Sequence, residues 1–306
     1  MSKKIIAVIN PSAGGGKTAS FWPEKSKYLK REFSNFDEVY TKAAGDAVKI
    51  SNNAVLEGYD FIIAVGGDGT VNEIINGMLS SETEKIESKL IVYPLGTGSD
   101  FGRSLNLPTD IEKFIELIKR ERSREIKVIE AAYVNYQGQK EKRYFINIAD
   151  CGMGAEVAKK LNQSPKTLDG SLSYLFKIFQ TLFKYQNKKM RVEADSSLIH
   201  QGKINSAIIA NGSYFGGGIK IAPAADLFND KINLVLLKDF SKKEIIFNLI
   251  KAYKGRHLGH PLVASYLVEK IKITASKPVE LEIDGETVGS SDVEFKVSDK
   301  RISVLL

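Results

Sequence analysis

The sequence predicts an α/β N-terminal domain, a three-layer sandwich around a mainly parallel sheet, followed by a mostly-β C-terminal domain built as a β-sandwich. Up to about residue 125, short apolar runs alternate with segments of helical periodicity, a pattern typical of a parallel sheet covered by helices. Three of these runs end abruptly in turns that contain glycine. After residue 125, strand-length segments follow one another with few helices between them, which indicates a change of fold class.

The elements of the first domain follow from these runs. The predicted strands are Ile5–Ile9, Val39–Thr41, Phe61–Val65 and Leu90–Tyr93. Continuous apolar runs of this length suit parallel strands that are buried on both faces. The predicted helices cover residues 18–33, 46–57 and 111–119, and a further helix follows each of the second and third glycine turns. At 306 residues the chain suits two domains, which we predict at 1–125 and 126–290.

The second domain is predicted to be strand-rich. Its predicted strands lie at 126–134, 144–148, 190–195, 204–211, 231–237, 268–275, 279–284 and 301–305. Two helices interrupt them. Ser171–Lys184 carries apolar residues on one broad face, and Ser241–Glu244 forms a capping box that opens the other helix. An apolar face of this kind packs against a core or rims a lipid pocket, and the sequence leaves both interpretations open.

Each glycine turn follows a strand and precedes a helix, and together they predict a phosphate site. The turns are Asn10–Thr18, Gly66–Thr70 and Pro94–Asp100. A helix N-terminus offers free N–H groups and the positive end of the helix dipole, and glycine lets an anion approach the backbone. A tight connection without a ligand is the alternative for the middle turn. Standard fingerprints are absent, because Pro11 replaces the first Walker glycine and Phe101 replaces the third dinucleotide glycine.

Composition limits the partners. The net charge of +7 suits an anionic partner, but the basic residues are scattered without an aromatic-basic signature, so nucleic acid is disfavoured. The single cysteine, Cys151, excludes an internal disulfide and fits a reducing cytosol. Three histidines and one cysteine cannot assemble a zinc site of the usual kind. No apolar run approaches the ~18–20 residues of a membrane span, and the start is too short for a secretory signal.

Taken together, these motifs resemble the diacylglycerol kinase catalytic-domain family, in particular its bacterial soluble lipid kinases. The matching segments are Asn10–Gly14, Gly66–Glu73, Gly96–Phe101, Gly216–Pro223 and Asp284–Glu286. They span nearly the whole chain in the family's order, whereas the middle motif alone is shared with NAD kinases and phosphofructokinases. The resemblance implies the same two-domain fold, with terminal strands in 291–306 that return to the first domain.

The resemblance implies ATP and Mg²⁺ as cofactors, with the nucleotide held at the glycine turns. The expected nucleotide-binding residues are Asn10, Pro11, Ser12, Ala13, Gly14, Lys17, Thr41, Gly66, Gly67, Asp68, Gly69, Thr70, Asn72, Glu73, Gly96 and Thr97. Lys17 lacks a Walker context but is placed to touch a phosphate. For Thr41, the alternative is a threonine that merely ends a strand. Ser99 stands where asparagine is usual in the family and keeps a hydrogen-bonding group.

Four acidic residues are candidates for the chemistry of phosphoryl transfer: Asp68, Asp100, Asp284 and Glu286. The reaction needs positioned phosphates, metal charge and a base for the attacking hydroxyl. Asp100 also suits a helix N-cap, and Asp284-Gly285 also suits a hairpin turn. The resemblance implies that Asp284 is the general base. It further implies that Glu286 joins Asp68 and Asp100 around a Mg²⁺-nucleotide.

A second, structural metal is expected in the C-terminal domain. Residues 222–232 align with a loop that wraps Mg²⁺ in bacterial relatives. The implied ligands are the Asp230 carboxylate and the backbone carbonyls of Leu227 and Ile232. Lys231 stands where glycine is usual, and an ammonium group paired with Asp230 would replace the ion.

The sequence therefore predicts an ATP- and Mg²⁺-dependent lipid kinase acting at an interdomain cleft. Its acceptor would be the hydroxyl of a diacylglycerol-like lipid, giving a phosphatidate-like product in phospholipid biosynthesis. The expected location is cytoplasmic, peripheral at the inner membrane surface and in contact with anionic lipid. The alternatives are a NAD kinase-like enzyme, a kinase of phosphatidylglycerol, sphingosine or ceramide, and a non-catalytic nucleotide-binding regulator. The oligomeric state is open, and a homodimer is compatible with the sequence.

Overall fold

The structure, a computed structural model, describes residues 3–81, 83, 85–95, 98–163, 180–181 and 184–306. The chain divides into two compact units. Unit 1 comprises Met1–Ile126 and Lys300–Leu306, and unit 2 comprises Lys127–Asp299. The segment that returns to the first unit is therefore shorter than the predicted 291–306, because residues 291–299 belong to unit 2.

Unit 1 alternates strands and helices. Its strands are β1 (Ile5–Ile9), β2 (Phe36–Tyr40), β3 (Phe61–Gly66) and β4 (Lys89–Pro94). Its helices are α1 (Lys17–Glu32), α2 (Asp46–Leu56), α3 (Asp68–Leu79), α4 (Asp100–Ser104) and α5 (Ile111–Arg120). The strands run parallel in the order β2-β1-β3-β4, and Val304 near the chain's end pairs in parallel with Leu90 of β4. The predicted α/β class is confirmed.

Apolar side chains cover both faces of this sheet, which explains why its strands appear as continuous apolar runs. On one face, Trp22 of α1 and Phe114 of α5 pack into a core with alternate strand residues. Tyr93 of β4 meets both rings edge-on, with centroid distances of 5.7 and 4.7 Å. Helices α2 and α3 contact the strands as well and pack against each other. This packing places the ends of β1, β3 and β4 beside the starts of α1, α3 and α4.

Unit 2 is mostly β. Its strands are β5 (Ser123–Asn135), β6 (Lys140–Phe145), β7 (Ile148–Gly152), β8 (Lys188–Ala194), β9 (Ser197–Ile204), β10 (Ser206–Ala210), β11 (Ile232–Leu237), β12 (Val263–Val268), β13 (Lys270–Ala275), β14 (Glu280–Ile283) and β15 (Glu286–Leu305). The helices with assigned bounds are α6 (Met153–Asn162) and α7 (Lys242–Tyr253). Strands β5 and β15 begin or end beyond the limits of unit 2.

The strands of unit 2 form an antiparallel path in the order β12-β11-β10-β7-β14-β15. Strand β15 also pairs with β13 and β5, and β13 pairs with β8. Side chains from both groups of strands share one core, among them Ile209, Val192 and Phe295. A second core, which includes Val157 of α6 and Ala252 of α7, lies on the other face of β7, β10 and β11. The predicted β-rich class is confirmed.

Three local predictions have different outcomes. The capping box at Ser241 is confirmed, because its side chain accepts a bond from Glu244 N and the Glu244 side chain accepts from Ser241 N. The predicted helix Ser171–Lys184 falls almost entirely outside the described residues. The sequence interpretation misses α6, which starts directly after the strand residue Gly152.

Among the helices of the described residues, none combines the length and the apolar character that crossing a membrane requires.

Candidate functional site

The turn after β1 is held against the turns after β3 and β4. Asn10 N donates to Val65 O at 3.0 Å, and Asn10 Nδ2 donates to Thr70 Oγ1 at 3.0 Å. Gly14 has φ +60°, and a Cβ added there would lie 2.8 Å from Leu95 O. Only glycine fits at this position, because both the backbone angle and the space exclude a side chain. The three predicted turns are therefore in contact within unit 1.

The second turn takes the chain from β3 directly into α3. A Cβ added at Gly66 would lie 2.6 Å from Thr70 Oγ1, so glycine is required for the strand to meet the helix so closely. Gly67 is the last residue before α3, and Asp68 is the first residue inside it. The free N–H groups of a first helical turn and the positive end of the dipole favour an anion at this position.

Asp68 connects the second turn to the third. Its Oδ2 accepts from Asp100 N at 3.0 Å and its Oδ1 accepts from Phe101 N at 2.9 Å. Close packing raises the pKa of the Asp68 carboxyl, and the N–H groups of Phe101 and Asp100 oppose that rise. The residue nevertheless remains partly exposed. Asp68 therefore holds the start of α4 in place.

The third turn is described from Gly98 onward, so the predicted Gly96 and Thr97 lie outside the described residues. Ser99 has φ +45°, a left-handed conformation that asparagine tolerates better than serine. Asp100 is buried, and its Oδ1 lies 3.7 Å from Arg103 Nε. Asp100 is the first residue inside α4, and the carboxylate that accepts from the free amides there is that of Asp68. The alternative of an N-cap role for Asp100 is thus wrong.

Glu73 and Asn72 are less open to a ligand than the resemblance implies. The two carboxylate oxygens of Glu73 accept from Gly45 N at 3.0 Å and from Ala47 N at 3.2 Å. Glu73 therefore holds the start of α2, a role that its place in the sequence does not reveal. Asn72 has no exposed surface. Glu73 thus bonds to the start of α2 and Asn72 is enclosed within unit 1.

Thr41 and Lys17 lie at the ends of elements near the same sheet edge. Thr41 directly follows β2, and its N–H donates to Ile9 O at 2.8 Å. Lys17 is the first residue of α1 and is exposed. Thr41 itself is buried, whereas Lys17 is open to solvent.

Asp284 lies in the tight turn between β14 and β15. Asp284 and Gly285 have φ values of +46° and +90°, as a two-residue hairpin requires. The Asp284 carboxylate accepts from three backbone N–H groups, those of Ile146 (3.2 Å), Asn147 (3.1 Å) and Ile148 (2.9 Å). These donors stabilise the ionised carboxylate. Asp284 thus organises the start of β7, whatever chemistry it performs.

Glu286 follows at the start of β15 and forms an ion pair. Its Oε2 lies 2.7 Å from Arg143 Nη2. The Glu286 side chain is 43% exposed and that of Arg143 is 20% exposed. The guanidinium group fixes this carboxylate at the surface of unit 2. Asp284 and Glu286 belong to unit 2, while Asp68 and Asp100 belong to unit 1.

Two further carboxyl groups near Asp284 escape the sequence interpretation. Glu282 of β14 lies directly opposite Asp150 of β7, and both residues are buried. Burial raises the pKa of Asp150 to about 7 and that of Glu282 above its ordinary value. Two neighbouring buried carboxyls resist double ionisation, so this pair retains protons near neutral pH. The alternation of Glu280, Glu282 and Asp284 in the sequence was the available signal.

The loop predicted to wrap a structural Mg²⁺ holds an ammonium group. Lys127 is 2% exposed, and its Nζ donates to Asp226 O and, at 3.4 Å, to Asn229 Oδ1. Lys127 N also donates to Leu227 O at 3.3 Å. The sequence interpretation missed Lys127, because it stands between two apolar residues in a strand of alternating pattern, where a lysine suggests a solvent-facing position.

A divalent cation does not fit this loop as it stands. A charged ammonium already bonded to the loop oxygens repels a second positive charge beside it. Lys231 does not take the ion's place next to Asp230, since its Nζ pairs with Glu269 Oε1 at 2.7 Å. We therefore do not retain Leu227, Asp230 and Ile232 as metal ligands. The described residues also contain no cluster of three or more His, Cys, Asp or Glu side chains able to hold a metal.

Unit 2 contains an apolar cavity of about 80 Å³ beneath α7. Its lining includes Val157, Ile208, Ile221, Phe240, Leu249 and Val263. His257 also lines it, and His257 Nε2 lies 2.9 Å from Ile221 O. Burial lowers the pKa of His257, so its ring stays neutral. The volume is roughly half of the ~150 Å³ that holds benzene in a protein core, which suits part of a hydrocarbon chain.

Two family models match the chain. The diacylglycerol kinase catalytic domain matches residues 4–131. The YegS C-terminal NAD kinase beta sandwich-like domain matches residues 147–306. A curated diacylglycerol kinase from Staphylococcus carnosus (strain TM300) is 30% identical over 304 residues, which cover 99% of this chain and 95% of that protein.

Solved structures show the same fold. The crystal structure of a diacylglycerol kinase from Bacillus anthracis str. Sterne superposes with a TM-score of 0.71 at 20% identity, covering 99% of this chain and 97% of that one. The structure of an NAD kinase from Archaeoglobus fulgidus in complex with ATP gives a TM-score of 0.54 at 15% identity, covering 99% and 93%. At these identities the superpositions establish the fold alone.

Proposed function

Because the chain belongs to the diacylglycerol kinase family and is a lipid kinase, we propose that it transfers the γ-phosphoryl group of ATP to the hydroxyl of a diacylglycerol-like lipid. The products are ADP and a phosphatidate-like lipid. The observation that carries the choice of acceptor is the apolar cavity beneath α7, which suits a stretch of acyl chain and offers little to a dinucleotide such as NAD.

The nucleotide end of the proposal rests on the joined turns of unit 1. The phosphates of ATP lie on the backbone of the turns after β1 and β3, where glycines leave the N–H groups accessible. Lys17 and Thr41 flank this position. The ATP bound by the NAD kinase of the same fold supports this choice of nucleotide.

The carboxylates of Asp68 and Asp100 are the oxygen ligands that Mg²⁺ prefers, so the residues present fit a Mg²⁺-nucleotide. When bound, the metal offsets the charge that develops on the phosphoryl oxygens. Asp284 accepts the proton of the lipid hydroxyl as the new P–O bond forms. Its three amide donors hold the carboxylate in place in the turn between β14 and β15.

The proposed setting is cytoplasmic, with the protein attached peripherally to the inner membrane surface. A diacylglycerol-like acceptor resides in a bilayer, and the net charge of +7 favours a surface that carries anionic lipid. Nucleic acid is not part of the proposal.

The activity is tested with purified protein, radiolabelled ATP and Mg²⁺ against diacylglycerol, phosphatidylglycerol, sphingosine and ceramide in mixed micelles, with NAD as a soluble acceptor. We expect label in phosphatidate. Label in NAD and in no lipid would contradict the proposal. Label in another lipid would identify that lipid as the acceptor instead of diacylglycerol.

Asp68→Asn is expected to weaken the binding of Mg²⁺-ATP at least ~10-fold. Asparagine carries no negative charge to attract the metal, and it keeps only one oxygen to accept from Asp100 N and Phe101 N. Isothermal titration calorimetry measures the effect. Asp110→Asn is the matched control, since Asp110 also accepts from the first turn of a helix, through Lys113 N at 3.1 Å, but lies outside the glycine turns. If the two variants bind Mg²⁺-ATP with equal affinity, Asp68 does not contribute to nucleotide binding.

A further inference from the structure

The outward face of α7 carries large apolar side chains in contact with solvent. Phe247 is 74% exposed, Ile250 is 72% exposed and Ile246 is 39% exposed. Throughout the ranges that the structure describes, no other large apolar side chain is as exposed as Phe247 and Ile250. Single apolar residues are common on protein surfaces, but a contiguous apolar set on one helix face marks an interaction site.

Lysines interleave with these apolar residues. At 3.6 residues per turn, Lys243 and Lys254 project between Ile250 and Phe247, and Lys251 lies beside Phe247. The three lysines are exposed, and none pairs with a carboxylate of the described residues. Two other lysines of unit 2 with exposed side chains, Lys231 and Lys272, have carboxylate partners, at 2.7 and 2.9 Å. The α7 face, defined as these three lysines with Ile246, Phe247 and Ile250, therefore carries uncompensated positive charge.

The other side of α7 fixes this orientation. Ile245, Leu249 and Ala252 line the apolar cavity, and the capping box at Ser241 sets where the helix begins. Since the helix is anchored by its inner side, Phe247 and Ile250 cannot join the core without a rotation that would expose the cavity residues. Their exposure is therefore set by the orientation of the helix and leaves this face open to a partner.

We propose that the α7 face docks onto an anionic lipid bilayer, a proposal that rests on the lipid acceptor proposed above. Phe247, Ile250 and Ile246 enter the boundary between headgroups and acyl chains, as the apolar side of an interfacial helix does. The lysines lie among anionic headgroups, with their alkyl stems along the apolar residues. Charge complementarity selects the bilayer as occupant.

The small size of the apolar set supports a bilayer over a protein. A stable protein interface buries about 800 Å² on each partner, more than three side chains supply. A membrane contact needs only a few inserted side chains when cations add to them. Docking by this face brings α7, the roof of the apolar cavity, against the bilayer that holds the acceptor. An acyl chain then has a short path from the bilayer to the cavity.

The test is sedimentation of the full chain with phosphatidylcholine vesicles that do or do not contain phosphatidylglycerol, without ATP. The α7 variants are Phe247→Ser/Ile250→Ser and Lys243→Glu/Lys251→Glu. The matched controls, which remove exposed apolar groups or reverse exposed charges elsewhere, are Leu56→Ser/Leu198→Ser and Lys27→Glu/Lys277→Glu. We expect each α7 variant to bind anionic vesicles at least ~10-fold more weakly, and the controls to bind as wild type. Binding should also weaken as salt shortens the Debye length from ~10 Å at 0.1 M to ~3 Å at 1 M.

Equal binding by α7 variants and controls would overturn the proposal, as would equal wild-type binding to neutral and anionic vesicles. A dimer in sedimentation velocity that Phe247→Ser/Ile250→Ser converts to monomer, with vesicle binding intact, would assign the face to a second copy. Phosphorylation of a water-soluble short-chain diacylglycerol tests the proposed function separately, because it needs no docking. The α7 variants should retain that activity. Loss of vesicle binding with that activity retained supports docking, whereas an inactive wild type that still docks counts against the proposed reaction alone.

Discussion

Replacing Asp284 by asparagine is expected to lower kcat by ~10²–10⁴-fold, the usual contribution of a general base. The amide cannot take the hydroxyl proton. It also keeps only one oxygen to accept from Ile146, Asn147 and Ile148, so some loss of stability accompanies the loss of rate. Steady-state kinetics with diacylglycerol micelles measure kcat, calorimetry measures Mg²⁺-ATP affinity, and thermal denaturation measures stability. Nucleotide affinity should stay close to that of wild type.

Asp195→Asn is the matched control for this variant. Asp195 also has a φ of +46°, and its Oδ1 accepts from Glu269 N at 3.0 Å and Lys270 N at 2.9 Å. Both variants replace an aspartate that accepts backbone N–H groups in a left-handed turn of unit 2, but only Asp284→Asn removes the proposed base. If the two enzymes turn over at comparable rates, Asp284 is a turn residue and the base lies elsewhere.

Replacing Lys127 by methionine is expected to destabilise unit 2 by about 2–4 kcal/mol, because Asp226 O and Asn229 Oδ1 lose a charged donor that is itself buried. Chemical denaturation monitored by circular dichroism measures the change. The control is Lys272→Met, which removes a half-exposed lysine paired with Glu294 at 2.9 Å. An exposed pair of this kind contributes about 0–1 kcal/mol.

The Lys127→Met variant also tests whether the loop at residues 222–232 prefers an ammonium group or a metal ion. Wild-type stability without nucleotide should not respond to Mg²⁺, because Lys127 already supplies the positive charge. If Mg²⁺ raises the wild-type midpoint and Asp230→Asn abolishes that rise, the loop binds metal beside the lysine and our assignment is wrong. If Mg²⁺ stabilises only Lys127→Met, the loop can exchange one cation for another.

What the sequence predicts well is short-range. The strand, glycine turn and helix around Gly66 follow one another directly in the sequence, so periodicity and turn chemistry predict them. The acceptor bonds of Asp68 join it to residues more than thirty positions away, and no local pattern reveals them. Lys127 is buried by a loop about a hundred residues further along the chain. Such contacts depend on packing, which is why the sequence did not reveal the lysine in the predicted metal loop, whereas the class of the fold was confirmed.

Helix α6 was missed for a different reason. It begins at Met153 immediately after a strand, and Asn205 O, which accepts from Met153 N at 2.9 Å, comes from a distant strand end. Gly152 has φ +142° and a Cβ there would lie 2.4 Å from Asn205 O, so the helix start depends on that approach. No side chain caps the start of the helix, so the usual sequence signal for a helix N-terminus is missing.

Unit 1 is assembled from two separate stretches of chain, and this affects how it folds during translation. Val304 pairs with β4, Leu305 joins the core of unit 1, and Leu306 N donates to Arg122 O at 3.0 Å. Domains generally fold in the order in which they are translated. Here the edge of β4 stays unpaired while the whole of unit 2 is synthesised, and an unpaired apolar edge strand invites aggregation. Nascent chains arrested before residue 300 should therefore bind chaperones through β4 and remain sensitive to protease.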